Sequence, residues 1–371
     1  MSALAQVIAA PGAAIEAEDD FRAINQLYVD RGWSDGLPIV PPTAAAVEAM
    51  LAYCDRPWNE PVAKIAPRYG EATPVRLATN AVMAGCRPEF FPVVLHAIEA
   101  MCEEPFNLYG VQATTHPVAP LVIVNGPIAR ELGMNGGHNA FGPGNVANAT
   151  IGRAIRLALL NIGGATPGLG DMSTMGSPAK YSYAVAENEA ENPWEPLHVE
   201  RGHATDTSTV TVIGAEPPHN VNDHESQTGE GILKTIAGTL ATTGNNDVYY
   251  PTARPLVIFG PEHAKTVAGD GYTKAKVREF IYEHARIALG RFARENIERR
   301  FRVNFKERYA NAGLDTPVPM LGKPENLLIA VIGGAGKHSA VVPTFGSTQP
   351  VTRALKTKDG RPARSVADFR A

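Results

Sequence analysis

A chain of 371 residues, 44% hydrophobic and 19% charged, has the composition of an ordinary globular protein, long enough for two domains or one large one. A net charge of -4 argues against nucleic acid or an anionic membrane as partner, and no apolar run is long enough to span a bilayer. Three cysteines, Cys54, Cys86 and Cys102, without a CxxC pair or an export signal, point to a reduced, cytoplasmic protein.

The N-terminal stretch MSALAQVIAAPGAA has no Lys or Arg before its apolar part, so it reads as a frayed end or a short first helix, not a signal peptide. In residues 16–31, Phe21, Ile24, Leu27 and Tyr28 recur at helical spacing. A Pro/Gly-punctuated loop with Trp33 and Asp35 follows. Helices are then expected over 43–53, with Thr43 as N-cap, over 71–84 and over 87–101, with a short strand at 62–66. Four consecutive branched apolar residues in PLVIVNG (120–126) suit a strand buried on both faces. A long helix over 145–162 carries Ile151, Ile155, Ala158, Leu159 and Ile162 on one stripe. Strands are expected at 180–187, 208–214, 255–260 and, as the last, 326–332; helices at 231–243 and 273–294. The polar stretch from Lys356 on is expected to be loose.

PLVIVNGPIARELGMNGG and PLVIFGPEHAKTVAGDG share a plan, about 135 residues apart: buried strand, Gly-Pro, a short segment, Gly, long helix. This is either chance, since a strand followed by Gly-Pro is common in α/β proteins, or a duplicated unit with a ligand cleft between the copies. The order of elements predicts an α/β fold, with mixed or parallel sheets flanked by helices. The expected organisation is an N-terminal helical segment (1–60), a first α/β half (61–200), a second (201–355) and a loose tail (356–371).

In such sheets ligands collect at the carboxyl ends of the strands, where both Gly-Pro loops lie. The loop Gly133–Asn148, GMNGGHNAFGPGNVAN, lacks the glycine spacing of a dinucleotide site. Asn145 as N-cap, with Asn135, Gly136, Gly137 and Asn139 ahead of it, suits a carboxylate, phosphate or oxyanion instead. His138 lies in its middle. The alternative is a conformationally demanding connection with one exposed histidine. His116 precedes the buried strand and is a candidate for acid–base work or a turn histidine bonded to backbone.

Cys86, in AGCRP before a helix and beside Arg87, is the nucleophile candidate, because a helix N-terminus and a cation both lower a thiol pKa. The bland reading is a small buried residue. The run from His219 to Glu225 packs His219, Asp223 and His224 together as metal candidates, without the spacing of a known zinc motif, and His219 is also a candidate acid or base; the bland reading is a polar loop capping the following helix. GGAGKHS (333–339) misses the Walker spacing, yet Lys337 and His338 suit an anion. No cofactor is expected beyond that metal.

The stretches GWSDGLPIVPPT, NAVMAGCRPEFFPVVL, GVQATTHPVAPLVIVNGPI, FGPGNVANATIGRAIRL, NPWEPLHVERG and GGAGKHS together resemble a widespread bacterial family of no established activity, over roughly Gly32 to Thr352. Its members are associated with small thiol or selenol proteins carrying a UGSC motif. Those small proteins are similar in that motif to the selenocysteine subunits of D-proline and glycine reductases. The resemblance implies a partner that supplies a redox thiol while this chain binds substrate. The chain departs from the reductase pattern, having neither a CxxC pair nor a UGSC-like element.

Three readings follow. The first is an enzyme cleaving a polar bond (C–N, C–S or C–O) in a small anionic organic molecule with Cys86 or a histidine. The second is the substrate-binding subunit of a two-protein thiol- or selenol-dependent reductase or lyase. The third is a metal-assisted hydrolase. A homo-oligomer is expected.

Overall fold

Side-chain caps set where the helices begin. Asp20, Thr43, Thr73, Asn145, Thr228 and Thr273 each accept the backbone N–H three residues on, satisfying donors that a helix start leaves unpaired. The caps open helices at Phe21–Asp30, Ala44–Leu51, Pro74–Ala84, Val146–Asn161, Gly229–Leu240 and Lys274–His284. Thr43 and Asn145 cap as their sequence positions suggest. The computed structural model describes residues 14–370, so the expected N-terminal helix or frayed end lies outside the described residues.

The fold is α/β, with mixed parallel and antiparallel sheets flanked by helices. The chain forms two units: residues 1–187, 196–214 and 350–371 in one, and 188–195 with 215–349 in the other. In the first unit β1 (Ala63–Ile65) and β2 (Gly70–Ala72) form a small antiparallel hairpin. Its main sheet contains β3 (Ala119–Asn125), β4 (Ala184–Ala186) and β5 (Thr209–Ala215), all fully buried. The Phe91–Met101 helix is buried along its whole length, including His96 and Glu99.

In the second unit the main sheet contains β6 (His219–Asn222) and β7 (Leu256–Phe259). A short antiparallel pair, β8 (Arg286–Ala288) and β9 (Pro317–Pro319), is set apart. The main sheet is completed by β10 (Leu328–Val331) and β11 (His338–Val342). The last strand, β12 (Val351–Ala354), pairs antiparallel with β5 in the first unit's sheet.

The strand orders are β12-β5-β3-β4 and β6-β11-β7-β10, the second read from the β6 edge. The two are alike. The parallel pairs β3/β4 and β7/β10 occupy matching places, as do the antiparallel pairs β12/β5 and β6/β11. The chain leaves β5 to form β6 in the other sheet, and leaves β11 to form β12 in the first. Each sheet therefore takes its outer strand from the segment that follows the other sheet's third strand.

Each Gly-Pro turn meets a serine, through the second residue after the glycine in the first unit and through the glycine itself in the second, and the two glycines differ in φ, 88° and -67°. After β3, the Ile128 N–H donates to Ser208 Oγ at 3.0 Å; after β7, the Gly260 N–H donates to Ser339 Oγ at 3.3 Å. A Cβ on Gly126 would lie 2.5 Å from the Thr207 carbonyl oxygen, and one on Gly260 would lie 2.2 Å from that of His338. Each glycine is required by the backbone just ahead of the capping serine.

Several expected elements differ. The strand expected over 180–187 shrinks to β4, because a 3-10 turn occupies Pro178–Lys180. The helix expected over 273–294 stops at His284, where the chain turns into β8 and pairs with β9. The strand at 326–332 is not the last, since β11 and β12 follow it. The C-terminal segment is not loose. His96 Nε2 lies 3.0 Å from the Lys356 carbonyl oxygen, and Ser365 with Asp368 forms a capping box on a 3-10 turn whose Phe369 is buried.

Candidate functional site

A histidine cluster forms where β7 and β10 end in the second unit. Because β11 runs antiparallel to β7, its first residues lie beside the carboxyl end of that strand, and Ser339 pairs with Phe259. His338 opens β11 opposite Asn222 of β6. Alternation puts Asn220 and Asn222 on the same face as His338, and the opposite face carries Val221, buried. His338 Nδ1 lies 3.0 Å from Asn220 Oδ1, and its Nε2 lies 3.2 Å from Nε2 of His224. The two rings meet edge to face, both exposed to solvent.

With Asn220 Oδ1 as acceptor, His338 donates from Nδ1. One proton then lies along the Nε2–Nε2 line, donated by one ring to the lone pair of the other. Both rings cannot carry hydrogen along this line.

The surroundings hold the pair in place. Lys337 Nζ donates to the His224 carbonyl at 3.0 Å, and the Gly336 N–H donates to Glu262 Oε1 at 2.7 Å. Gly333 and Gly336 adopt φ of 126° and 133°, which only glycine takes without strain, so the 333–336 turn needs them. Beneath, His263 is buried; its Nε2 lies 3.0 Å from the Asp223 carbonyl and its Nδ1 2.8 Å from Ser339 Oγ. Burial lowers its pKa, against the opposing pull of the Asp223 backbone, so the ring is neutral, donating to Asp223 and accepting from Ser339. Burial opposes ionisation of Asp223, but hydrogen bonds from Thr235 and Ser226 outweigh it and hold the carboxyl below its usual range. His263, Ser339, Asn220 and Glu262 were not singled out from sequence. Only the polar residues clustered on GPEHAK and KHSA hint at them.

Of the sequence candidates, the fold brings Lys337, His338 and His224 together. His219 alternates to the other face of β6 and lines a separate cavity of about 430 Å³ with Glu216, Thr239 and Val341. Both oxygens of Asp223 accept protein donors. Among the described residues no three His, Cys, Asp or Glu side chains form a metal-ligand group, so His219, Asp223 and His224 are not one.

The first unit holds the remaining candidates. Cys86 follows a left-handed Gly85 and precedes a 3-10 turn, Pro88–Phe90, that runs directly into the Phe91–Met101 helix, as its sequence position suggests. Burial pushes its thiol up to about 12, with a hydrogen bond from Thr150 and the Arg153 charge only partly offsetting. The lowered thiol pKa expected from sequence is thus reversed. His116 lies at the amino end of β3, away from Gly126, and its N–H donates to Thr114 Oγ1 at 3.2 Å.

The Gly133–Asn148 loop is stapled by its own amides. Buried Asn148 accepts from the Asn135 N–H and donates to the carbonyls of Asn135 and Ala140. Asn145 donates to the Gly133 carbonyl, Asn139 to that of Pro143, and Asn135 to that of exposed His138. The Gly137 N–H donates to Asn135 Oδ1, while Gly136 is buried. The amides expected to hold an anion are committed to the loop. At the carboxyl ends of β3 and β4, buried Glu187 accepts from Asn125 at 2.7 Å and from the Leu197 N–H at 2.8 Å.

No helix among the described residues is long and apolar enough to cross a membrane. No family model matches the chain, and no curated protein or solved structure matches it.

Proposed function

We propose that the protein is an enzyme that cleaves a polar C–N, C–S or C–O bond in a small organic molecule by histidine acid–base chemistry. The observation that carries this reading is the exposed His224–His338 pair, with its Nε2 atoms 3.2 Å apart and His338 oriented by Asn220. The pair is the base: it takes one proton from substrate or water and becomes an imidazolium shared across the Nε2–Nε2 bond, and that imidazolium is the acid that returns the proton to the leaving group. Lys337, anchored by one of its three donors, favours an anionic substrate at this edge. If the reaction needs a reactive thiol or selenol, a second protein supplies it, since burial raises the thiol pKa of Cys54, Cys86 and Cys102 alike. This agrees with the partner implied by the family resemblance.

The test is turnover of a panel of small amides, thioethers and esters by the purified chain. His338→Ala is expected to lose about 100-fold or more in kcat, and Asn220→Ala about tenfold through loss of orientation. Unchanged turnover in His338→Ala overturns the reading.

The same distance favours a second reading. Two imidazole nitrogens on one tetrahedral ion with bonds of about 2.0–2.1 Å lie roughly 3.3 Å apart, close to the 3.2 Å observed. Zinc or cobalt titration separates the two: stoichiometric binding lost in His224→Ala supports a metal, and a chelator-insensitive activity supports the proton pair.

A further inference from the structure

A cavity of about 690 Å³ lies wholly within the first unit, between Asp35, Arg156 and the loop running from Ala165 to Tyr181. Small-molecule sites have volumes of a few hundred to about 1,000 Å³. Its wall carries two cations, Arg156 and Lys180, and two carboxylates, Asp35 and Asp171. Lys180 Nζ meets both oxygens of Asp171, at 2.8 and 2.7 Å, while Arg156 Nη1 lies 3.6 Å from the same carboxylate. Arg153 occupies both oxygens of the other carboxylate, Asp35, at 2.8 and 2.9 Å. Both carboxylates are thus engaged, Asp171 by Lys180 and Asp35 by Arg153 from outside the wall, and Arg156 has no carboxylate within hydrogen-bond distance.

Arg156 is the more loosely paired of the wall's two cations. Its Nε donates to the Lys180 carbonyl at 2.7 Å, which fixes the plane of the guanidinium, and Nη2 hydrogen-bonds to nothing among the described residues. Burial pulls its pKa down, with the charges of Asp171 and Asp35 opposing. Around it the wall offers the hydroxyl of Ser173, which only accepts within the fold, while those of Ser34 and Ser177 donate to the carbonyls of Leu37 and Pro117; the apolar surfaces of Leu160 and Ala165 complete it. Met175 stands at the rim, 86% exposed.

We infer that this cavity binds a small molecule with an apolar body and one anionic group, a carboxylate or a phosphate, which Arg156 receives through its Nη atoms. Arginine suits the task, because its planar fork meets either group with two parallel hydrogen bonds. The site uses none of the histidine cluster, so its test stands apart from that of the proposed activity.

Binding of hexanoate, hexyl phosphate and 1-hexanol to the full chain, by calorimetry at low ionic strength, decides the matter. At least one anion is expected to bind about tenfold tighter than the alcohol, and the preferred anion names the ligand's head group. Arg156→Met is expected to erase that preference. Because Arg156 also holds the Lys180 carbonyl, a second pair of variants is placed at exposed Met175, where the fold is not at stake. Met175→Lys is expected to strengthen anion binding about two- to threefold, and Met175→Glu to weaken it as much. Equal binding of all three probes, no binding at millimolar concentration, or indifference to both Met175 variants overturns the proposal.

Discussion

A thiol held near a pKa of 12 is almost wholly protonated at neutral pH and reacts slowly with alkylating reagents. Cys86 and Cys102 are both pushed up to about 12 by burial, so neither reacts with iodoacetamide at neutral pH while the chain is folded. Alkylation followed by mass spectrometry, with and without urea, checks this; rapid native labelling of Cys86 contradicts it. Asp247 makes a second residue-scale case. Burial pushes its carboxyl up to about 8, with hydrogen bonds from Thr344 opposing. The unfolded chain releases that proton near pH 4, and the native state keeps it to about pH 8. Stability conferred by the protonated form is complete below the first value and is lost as pH rises through the second. The expected slope across the window is about 1.4 kcal/mol per pH unit for this one group. Asp247→Asn cannot ionise, so its urea midpoint changes less than that of the wild type between about pH 5 and 8. The sequence shows the type and spacing of such groups, but not their burial. That is why AGCRP read as an activating context for Cys86, and why neither Asp247 nor His263 drew notice.

Elements were legible where their own residues decide them. The buried runs PLVIVN, STVTVIG, PLVIF and LLIAV became β3, β5, β7 and β10, because continuous branched apolar residues have no stable alternative to a strand covered on both faces. The strands β6, β11 and β12 were missed, since pairing rather than composition defines them; in β6 only Val221 is buried. This matters for the site, because His338 lies on a ladder and not in a flexible turn. It also ties the histidine pair to a glycine that carries no chemistry. A methyl at Gly260 would sit 2.2 Å from the His338 carbonyl oxygen, while the φ of -67° there is one that any residue adopts. Gly260→Ala is therefore expected to shift the start of β11 with little backbone strain of its own. The His224–His338 hydrogen bond should break, and imidazole NMR signals from both rings should move together. Unchanged signals would mean that β11 yields elsewhere.

At the scale of the molecule, the matched strand orders and the likeness of the two Gly-Pro stretches support one repeated unit, and we propose that the halves are copies that have exchanged their fourth strands. The sequence carried the likeness of the Gly-Pro stretches. It did not carry the exchange, which depends on which partner a short strand finds. A chain ending at Gln349 loses β12 along with buried Leu355, Ala363 and Phe369. It uncovers one edge of β5, whose residues are all buried. An uncovered, apolar strand edge recruits other chains, so this shortened protein is expected to aggregate, and soluble yield with circular dichroism checks it.

The exchange also bears on the order in which the protein is made. Synthesis runs from the N-terminus, and domains generally fold as they emerge. Here β3, β4 and β5 are translated long before residues 351–354. The first sheet therefore waits, with an open flank, through the synthesis of the whole of residues 215–349. That sheet can close only once residues 351–354 have left the ribosome, after the second unit's own strands have been made.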